Sequence, residues 1–184
     1  MHMEENKMFT LEEYEKLQYK YKYNIEFING DVVLHSKTSV KHNEIVNNIQ
    51  FKLMSYLANS KCKVYTEQIE LKFHNDKDTI NVFPDVFVMC EDAKKVGESF
   101  VSPPKIIFEV VSPEYSEHDY FIKANIYQRF GVLEYNIVEQ NGMITQYSLI
   151  DGAYRTPKVL GNKDIYVSSV FPELRIDLKD IFEF

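Results

Sequence analysis

The sequence predicts a mixed α/β (α+β) fold, and three observations lead there. Two long runs repeat apolar residues at helical spacing, several short runs are rich in Val, Ile and Phe, and tight-turn dipeptides punctuate the chain between them. The 184 residues are the size of one ordinary domain, with no composition break and no internal repeat. We therefore expect one domain over residues 1–184, with 1–8 as a disordered tail.

Taken in order, Thr10 is placed to cap a first helix and Glu13 to reciprocate, with Leu11, Tyr14 and Leu17 on one face. Residues 19–23 alternate Tyr and Lys, which fits either a nucleic-acid contact or, more commonly, a solvated connector with packed rings. Residues 25–28 and 31–34 flank Asn29-Gly30, a strong hairpin signal. A long helix follows over 40–58, capped by Ser39, with Ile45, Ile49, Leu53 and Leu57 on its buried face. Strands are expected over 64–73, 80–89 and 106–111, with a turn at 75–78. The run Ile-Ile-Phe-Glu-Val-Val at 106–111 is almost continuously apolar and reads as a central strand covered on both faces. Ser116 opens a second helix through Phe130, and Gly131 stands where a left-handed terminal residue belongs. Residues 133–139 and 143–149 flank Asn141-Gly142, Asp151-Gly152 makes another tight turn before 153–159, and a short element closes the chain near 178–182. The whole reads as one sheet with helices packed against it.

Composition narrows the function classes. Hydrophobic residues at 45% and charged residues at 27% lie in the globular range, and an aromatic share of 14% argues against disorder. No stretch approaches the ~20 apolar residues of a membrane span, and the polar, acidic start does not read as a signal peptide. Cys62 and Cys90 make neither a disulfide framework nor a zinc set. His35, His74 and His118 show no zinc spacing. A cytoplasmic protein without a membrane partner is expected. The net charge of −7 disfavours a basic DNA-coating protein, though a local basic groove or a bound metal can still meet phosphates. No Gly-rich phosphate loop is present.

Two acids stand out. Glu109 interrupts the apolar run 106–111, and Asp85 lies between Val82-Phe83-Pro84 and Val86-Phe87-Val88. A buried carboxylate needs a partner or a cation. Each acid alone could sit on a strand end facing water. Side by side, the two would suit a hard divalent ion such as Mg²⁺. On the helix that follows, Tyr120, Lys123 and Tyr127 share a face, so Lys123 either reaches back over the strand ends or pairs with Asp119 at the surface.

These residues resemble the Uma-two family of predicted endonucleases, in the PD-(D/E)xK, restriction-endonuclease-like superfamily. The matching stretches are Ile25-Glu26-Phe27-Ile28-Asn29-Gly30-Asp31-Val32-Val33, His42 at the start of the long helix, and Pro84-Asp85-Val86. They continue through 103–113, Asp119-Tyr120-Phe121-Ile122-Lys123 with Tyr127, and Gly131-Val132-Leu133-Glu134-Tyr135. The resemblance covers roughly 9–184. It implies a restriction-endonuclease-like mixed sheet flanked by helices, with the acids at one end of the central strands. It also implies Mg²⁺, or Mn²⁺, held by Asp85 and Glu109, with the Val110 backbone oxygen and Glu26 as further metal-side groups. The superfamily lysine belongs at position 111, which is Val111 here; the resemblance moves that role to Lys123 on the following helix. Tyr127 and His42 are then candidate substrate contacts beside Lys123, although His42 also reads as a capping or core-polar histidine. Asn136 stands where relatives carry Trp, a difference expected to concern packing.

The function implied is Mg²⁺-dependent hydrolysis of DNA phosphodiester bonds, with Asp85, Glu109 and Lys123 catalytic and a homodimer expected. The alternative is a catalytically inactive module that keeps the nuclease fold for a binding or regulatory role. The net charge favours the second reading and the retained acids and lysine favour the first.

Overall fold

The computed structural model describes residues 7–21, 24–34, 39–111 and 119–183. The expected cap at Ser116, together with His35 and His118, lies outside the described residues, as does most of the expected tail.

Helix α1 (Leu11–Lys20) begins as the sequence predicts: the Thr10 hydroxyl accepts from the Glu13 N–H, and the Glu13 carboxylate accepts from the Thr10 N–H. At its end Tyr19 is 96% exposed and the Lys20 ammonium lies over the Tyr21 ring, but residues 19 and 20, expected in a connector, belong to the last turn of the helix. Strands β1 (Ile25–Ile28) and β2 (Asp31–Leu34) form an antiparallel hairpin. Its turn residues Asn29 and Gly30 have φ of 50° and 102°, the left-handed conformations that a two-residue turn of this hand requires. Helix α2 (Val40–Leu57) is capped by Ser39, whose hydroxyl accepts from the His42 N–H at 3.0 Å. Ile45, Ile49, Leu53 and Leu57 are buried along it, and His42 and Val46 join the stripe.

Two expected strands divide. Residues 64–73 give β3 (Cys62–Thr66) and β4 (Leu71–His74), which lie in different sheets. Residues 80–89 give β5 (Thr79–Val82) and β6 (Val86–Cys90), again in different sheets. The second break falls on Phe83-Pro84-Asp85, where Pro84 has no N–H to extend a ladder. The single sheet expected is therefore two large sheets, with the chain crossing between them at this tripeptide.

The remaining strands are β7 (Lys95–Val96), β8 (Ser99–Phe100), β9 (Ile106–Val111), β10 (Glu134–Glu139), β11 (Met143–Ile150), β12 (Ala153–Tyr154), β13 (Lys158–Leu160), β14 (Ile165–Val167) and β15 (Arg175–Asp177). One six-stranded sheet has the order β2-β1-β5-β4-β8-β7; a seven-stranded sheet has the order β12-β11-β10-β9-β6-β3, with β13 beside β11. A two-stranded ribbon, β14 with β15, precedes the short helix α4 (Lys179–Phe182). After β9, a π-helical turn (Asp119–Lys123) leads into helix α3 (Ala124–Phe130), which ends on Gly131 at φ 82°.

Strand β9 is buried throughout, parallel to β10 and antiparallel to β6, as its apolar run predicts. Its side chains alternate between two cores. Ile106, Phe108 and Val110 pack with the apolar face of α2, and with Tyr166, Leu174 and Ile176 of the C-terminal region. Ile107 and Val111 pack with Ile126, Tyr127 and residues of the six-stranded sheet. Glu109, between them in sequence, has the parity of the second core. By the same alternation, Glu26 shares the Ile28 side of β1, and Ile28 belongs to that core as well.

One feature of β6 was not foreseen. Cys62 pairs directly with Cys90 across β3 and β6, and the two form a disulfide. No spacing rule anticipates it, because the register that faces the two residues is set by neighbouring side chains. The bridge closes a separation of 28 residues. Its reduction is expected to lower the unfolding free energy by about 3 kcal/mol. Urea titrations with and without reductant measure this, and a change below about 1 kcal/mol would contradict it.

Candidate active site

The crossing tripeptide and the end of β9 place carboxylates from both sheets beside one helix. Asp85 immediately precedes β6, and the register Val86↔Phe108, continued by one residue, sets it opposite Glu109. The Val110 N–H donates to Asp85 Oδ2 at 2.7 Å, which fixes the carboxylate against the neighbouring strand. On its other side, His42 Nε2 lies 3.3 Å from the same oxygen. The Ser39 cap orients the first turn of α2 so that this imidazole, 8% exposed, points at Asp85.

Lys123 forms the second contact. It is 3% exposed, and its ammonium donates to Glu109 Oε1 at 3.0 Å and to Glu26 Oε1 at 3.1 Å. Tyr127, one turn along the helix, donates its hydroxyl to Glu109 Oε1 at 2.8 Å. The Phe83 N–H, freed from the ladder at the sheet crossing, donates to Glu26 Oε1 at 3.0 Å. Lys123 thus bonds to one carboxylate from each large sheet. It sits at the end of the π-helical turn, a local widening of the helix that recurs at functional sites.

The electrostatics follow from these contacts. Burial works against a charged His42, but the hydrogen bond and charge of Asp85, reinforced by Glu67 and Glu109, outweigh it and hold the imidazole above its ordinary value of 6.5. Burial and the charges of Glu109 and Glu26 push the Tyr127 phenol well above 10, so it serves as a neutral donor. Two carboxylates within reach of one ammonium make a pair of buried anions tolerable; without that cation their mutual repulsion and desolvation would be severe.

The residues proposed for the site from the sequence fall into two contacts. His42, Asp85 and Val110 meet in one contact, and Glu26, Glu109, Lys123 and Tyr127 in another. Among the described residues no three His, Cys, Asp or Glu side chains converge as a metal-binding group. The donor chemistry of Asp85, Glu109 and the Val110 carbonyl nevertheless fits a hard cation, which takes carboxylate and carbonyl oxygens. Two participants carried no sequence signal. Phe83 contributes only its backbone, and Glu67 acts on His42 through charge from a strand-to-strand turn. His74 lies elsewhere, bonded to Asn81 Oδ1 at 2.7 Å.

A further buried carboxylate, Glu134, belongs to the architecture. It is fully buried and accepts hydrogen bonds from Asn136, Tyr166, Ser168 and Ser169, tying the start of β10 to the C-terminal region. Asn136 also donates to the Ile107 carbonyl at 3.3 Å, so the residue that departs from the family pattern is part of this packing network.

Among the described residues, no helix is long and apolar enough to cross a membrane. A protein of Synechocystis sp., described as uncharacterized, is 25% identical over 137 residues, which is 73% of this chain and 76% of that protein. The crystal structure of "a putative nuclease belonging to DUF820" from Anabaena variabilis matches with a TM-score of 0.72 at 17% identity, covering 88% of this chain and 91% of that one. At that identity the likeness is one of fold, and it places the two sheets and their flanking helices in a nuclease-like architecture. The profile of the Uma2 family, described as "Putative restriction endonuclease", matches residues 11–179, from the first helix to the last and through every side chain of the site; the chain belongs to that family.

Proposed function

We propose that this protein is a metal-dependent endonuclease that hydrolyses phosphodiester bonds of DNA, built as a single PD-(D/E)xK domain over residues 1–184. The observation that carries the reading is the placement of Lys123 between Glu109 and Glu26, beside the strand end that presents Asp85. Mg²⁺ or Mn²⁺, held by the carboxylates of Asp85 and Glu109 with the Val110 carbonyl and with Glu26 nearby, would supply Lewis-acid stabilisation and a water of lowered pKa.

The chain's own groups divide the remaining work. Lys123 orients the attacking water or steadies the phosphate through its ammonium. Tyr127 holds Glu109 by its hydroxyl, and the Val110 N–H holds Asp85, so neither carboxylate has to reorganise as charge develops. His42 fixes the other side of Asp85 and stands where the substrate backbone would approach. A homodimer, which presents two such sites to the two strands, and a cytoplasmic location belong to the same proposal. In a reducing cytoplasm the Cys62–Cys90 pair would be held as thiols.

Supercoiled plasmid incubated with the protein in Mg²⁺, Mn²⁺ or EDTA tests the reading. Nicking in either metal and none in EDTA is expected. No nicking under any of these conditions, on DNA of either strandedness, would overturn it. The second reading, a nuclease fold kept for binding, is favoured by the net charge of −7. It requires stable folding and no metal-dependent cleavage.

A further inference from the structure

An open surface cavity of about 350 Å³ lies on the far side of α3 from the carboxylates, between that helix and the β11–β12 hairpin. Its volume is at the lower end of small-ligand sites, about 300–1,000 Å³. We propose that it binds a nucleobase unpaired from the substrate strand; the inference rests on the nuclease reading and specifies its substrate as single-stranded or locally distorted nucleic acid.

The lining has the two chemistries that a base needs. Phe121 is 71% exposed at the rim, and the Tyr147 and Tyr154 rings form a wall with centroids 5.6 Å apart. An exposed ring such as Phe121 is a stacking platform for bases, and the half-buried Tyr147 and Tyr154 rings back it. Two side-chain amides are oriented by backbone partners. Gln128 Oε1 accepts from the Tyr154 N–H at 2.7 Å, which leaves its Nε2 as the donor turned to the cavity. Asn125 Nδ2 donates to the Phe121 carbonyl at 2.6 Å, which leaves Oδ1 as the acceptor. One fixed donor and one fixed acceptor beside aromatic faces match the edge of a purine or pyrimidine. Arg155 adds a guanidinium, held on Asp151 at 3.0 Å, suited to a phosphate or to stacking.

The position relative to the site also fits. Asn125 and Gln128 project from the side of α3 largely opposite Tyr127, so a strand leaving the carboxylates need cross only the thickness of one helix, about 10 Å. A ladder of rings, Tyr127–Tyr135–Tyr147–Tyr154, with centroid spacings of 4.9, 6.0 and 5.6 Å, runs from the donor on Glu109 to the cavity wall. Tyr127 and Tyr135 are fully buried, so the two sites are joined through the packed core beneath them.

Phe121→Ala and Gln128→Ala test the proposal, with dAMP and dTMP as probes and ligand-observed NMR titration as the readout. Saturable binding to the wild type and to Asp85→Ala alike is expected, weakened about tenfold in each cavity variant. Cleavage of an oligonucleotide duplex carrying an unpaired base is expected to exceed that of the fully paired duplex by at least about tenfold, and Phe121→Ala is expected to erase the difference. Absence of mononucleotide binding, or equal binding by wild type and both variants, would overturn the cavity assignment. If the nuclease reading alone is wrong, no duplex is cut in any variant while mononucleotide binding and its loss in Phe121→Ala persist. Because Phe121 is exposed, its removal leaves the core intact.

Discussion

Glu109→Gln is expected to reduce metal-dependent nicking by about a thousandfold or more. The substitution keeps the size of the side chain and an oxygen that can accept from Tyr127 and Lys123. What it removes is the negative charge on the strand end that faces Asp85. A hard cation loses one of its two principal anionic ligands, and several kcal/mol of transition-state stabilisation goes with it, at about 1.4 kcal/mol per tenfold in rate. Lys123 keeps Glu26 as its counter-charge, so the variant should remain folded. Circular dichroism and thermal melting establish that, and plasmid nicking over a range of Mg²⁺ concentrations measures the loss. Residual activity within about tenfold of wild type at saturating Mg²⁺ would remove Glu109 from the catalytic group.

Lys123→Met is expected to separate two roles. Nicking should fall about a hundred- to thousandfold, the usual cost of removing a positioned donor to a developing charge. Metal affinity should move the other way. The ammonium lies within 3.1 Å of both Glu26 and Glu109, so its removal takes a shared cation from two buried carboxylates. Without metal, the variant should lose about 3–5 kcal/mol of stability, the cost of breaking a buried ion pair from one side. Adding Mg²⁺ should restore much of that loss, because a divalent cation can take the place of the missing charge. Calorimetric titration and urea unfolding with and without Mg²⁺ read both effects. Lys123→Gln retains a hydrogen-bond donor and serves where the Met variant is too unstable to purify. If both variants bind metal no more tightly than wild type and unfold at the same urea concentration, Lys123 does not hold the two acids together.

Much of the candidate site was legible in the chain because burial makes charge conspicuous. A Glu inside Ile-Ile-Phe-Glu-Val-Val cannot be an ordinary surface residue once the strand is central, and the structure buries it to 5% exposure. Lys123 on an aromatic helical face carried the same signal. The helices and hairpins were also readable, since caps and left-handed turn residues act over only a few positions; Thr10 with Glu13, Ser39, and Asn29-Gly30 all behave locally. What was not legible is non-local. The division of 64–73 and 80–89 between two sheets depends on which strands compete for the same edge. The disulfide depends on register, and the Phe83 N–H that supports Glu26 has no side-chain signature. The π-helical turn that delivers Lys123 is likewise a product of how the helix packs, with no composition to announce it.

The central claim is that Asp85 and Glu109 form one metal-dependent catalytic centre on this fold. Titrating Mg²⁺ and Mn²⁺ into wild type and Asp85→Ala, with nicking of supercoiled DNA assayed on the same samples, tests it most directly. Saturable metal binding with nicking in the wild type, and loss of both in Asp85→Ala while the fold persists, is the expected result. Nicking by Asp85→Ala at the wild-type rate, or no metal binding by the wild type at millimolar concentrations, would contradict the claim.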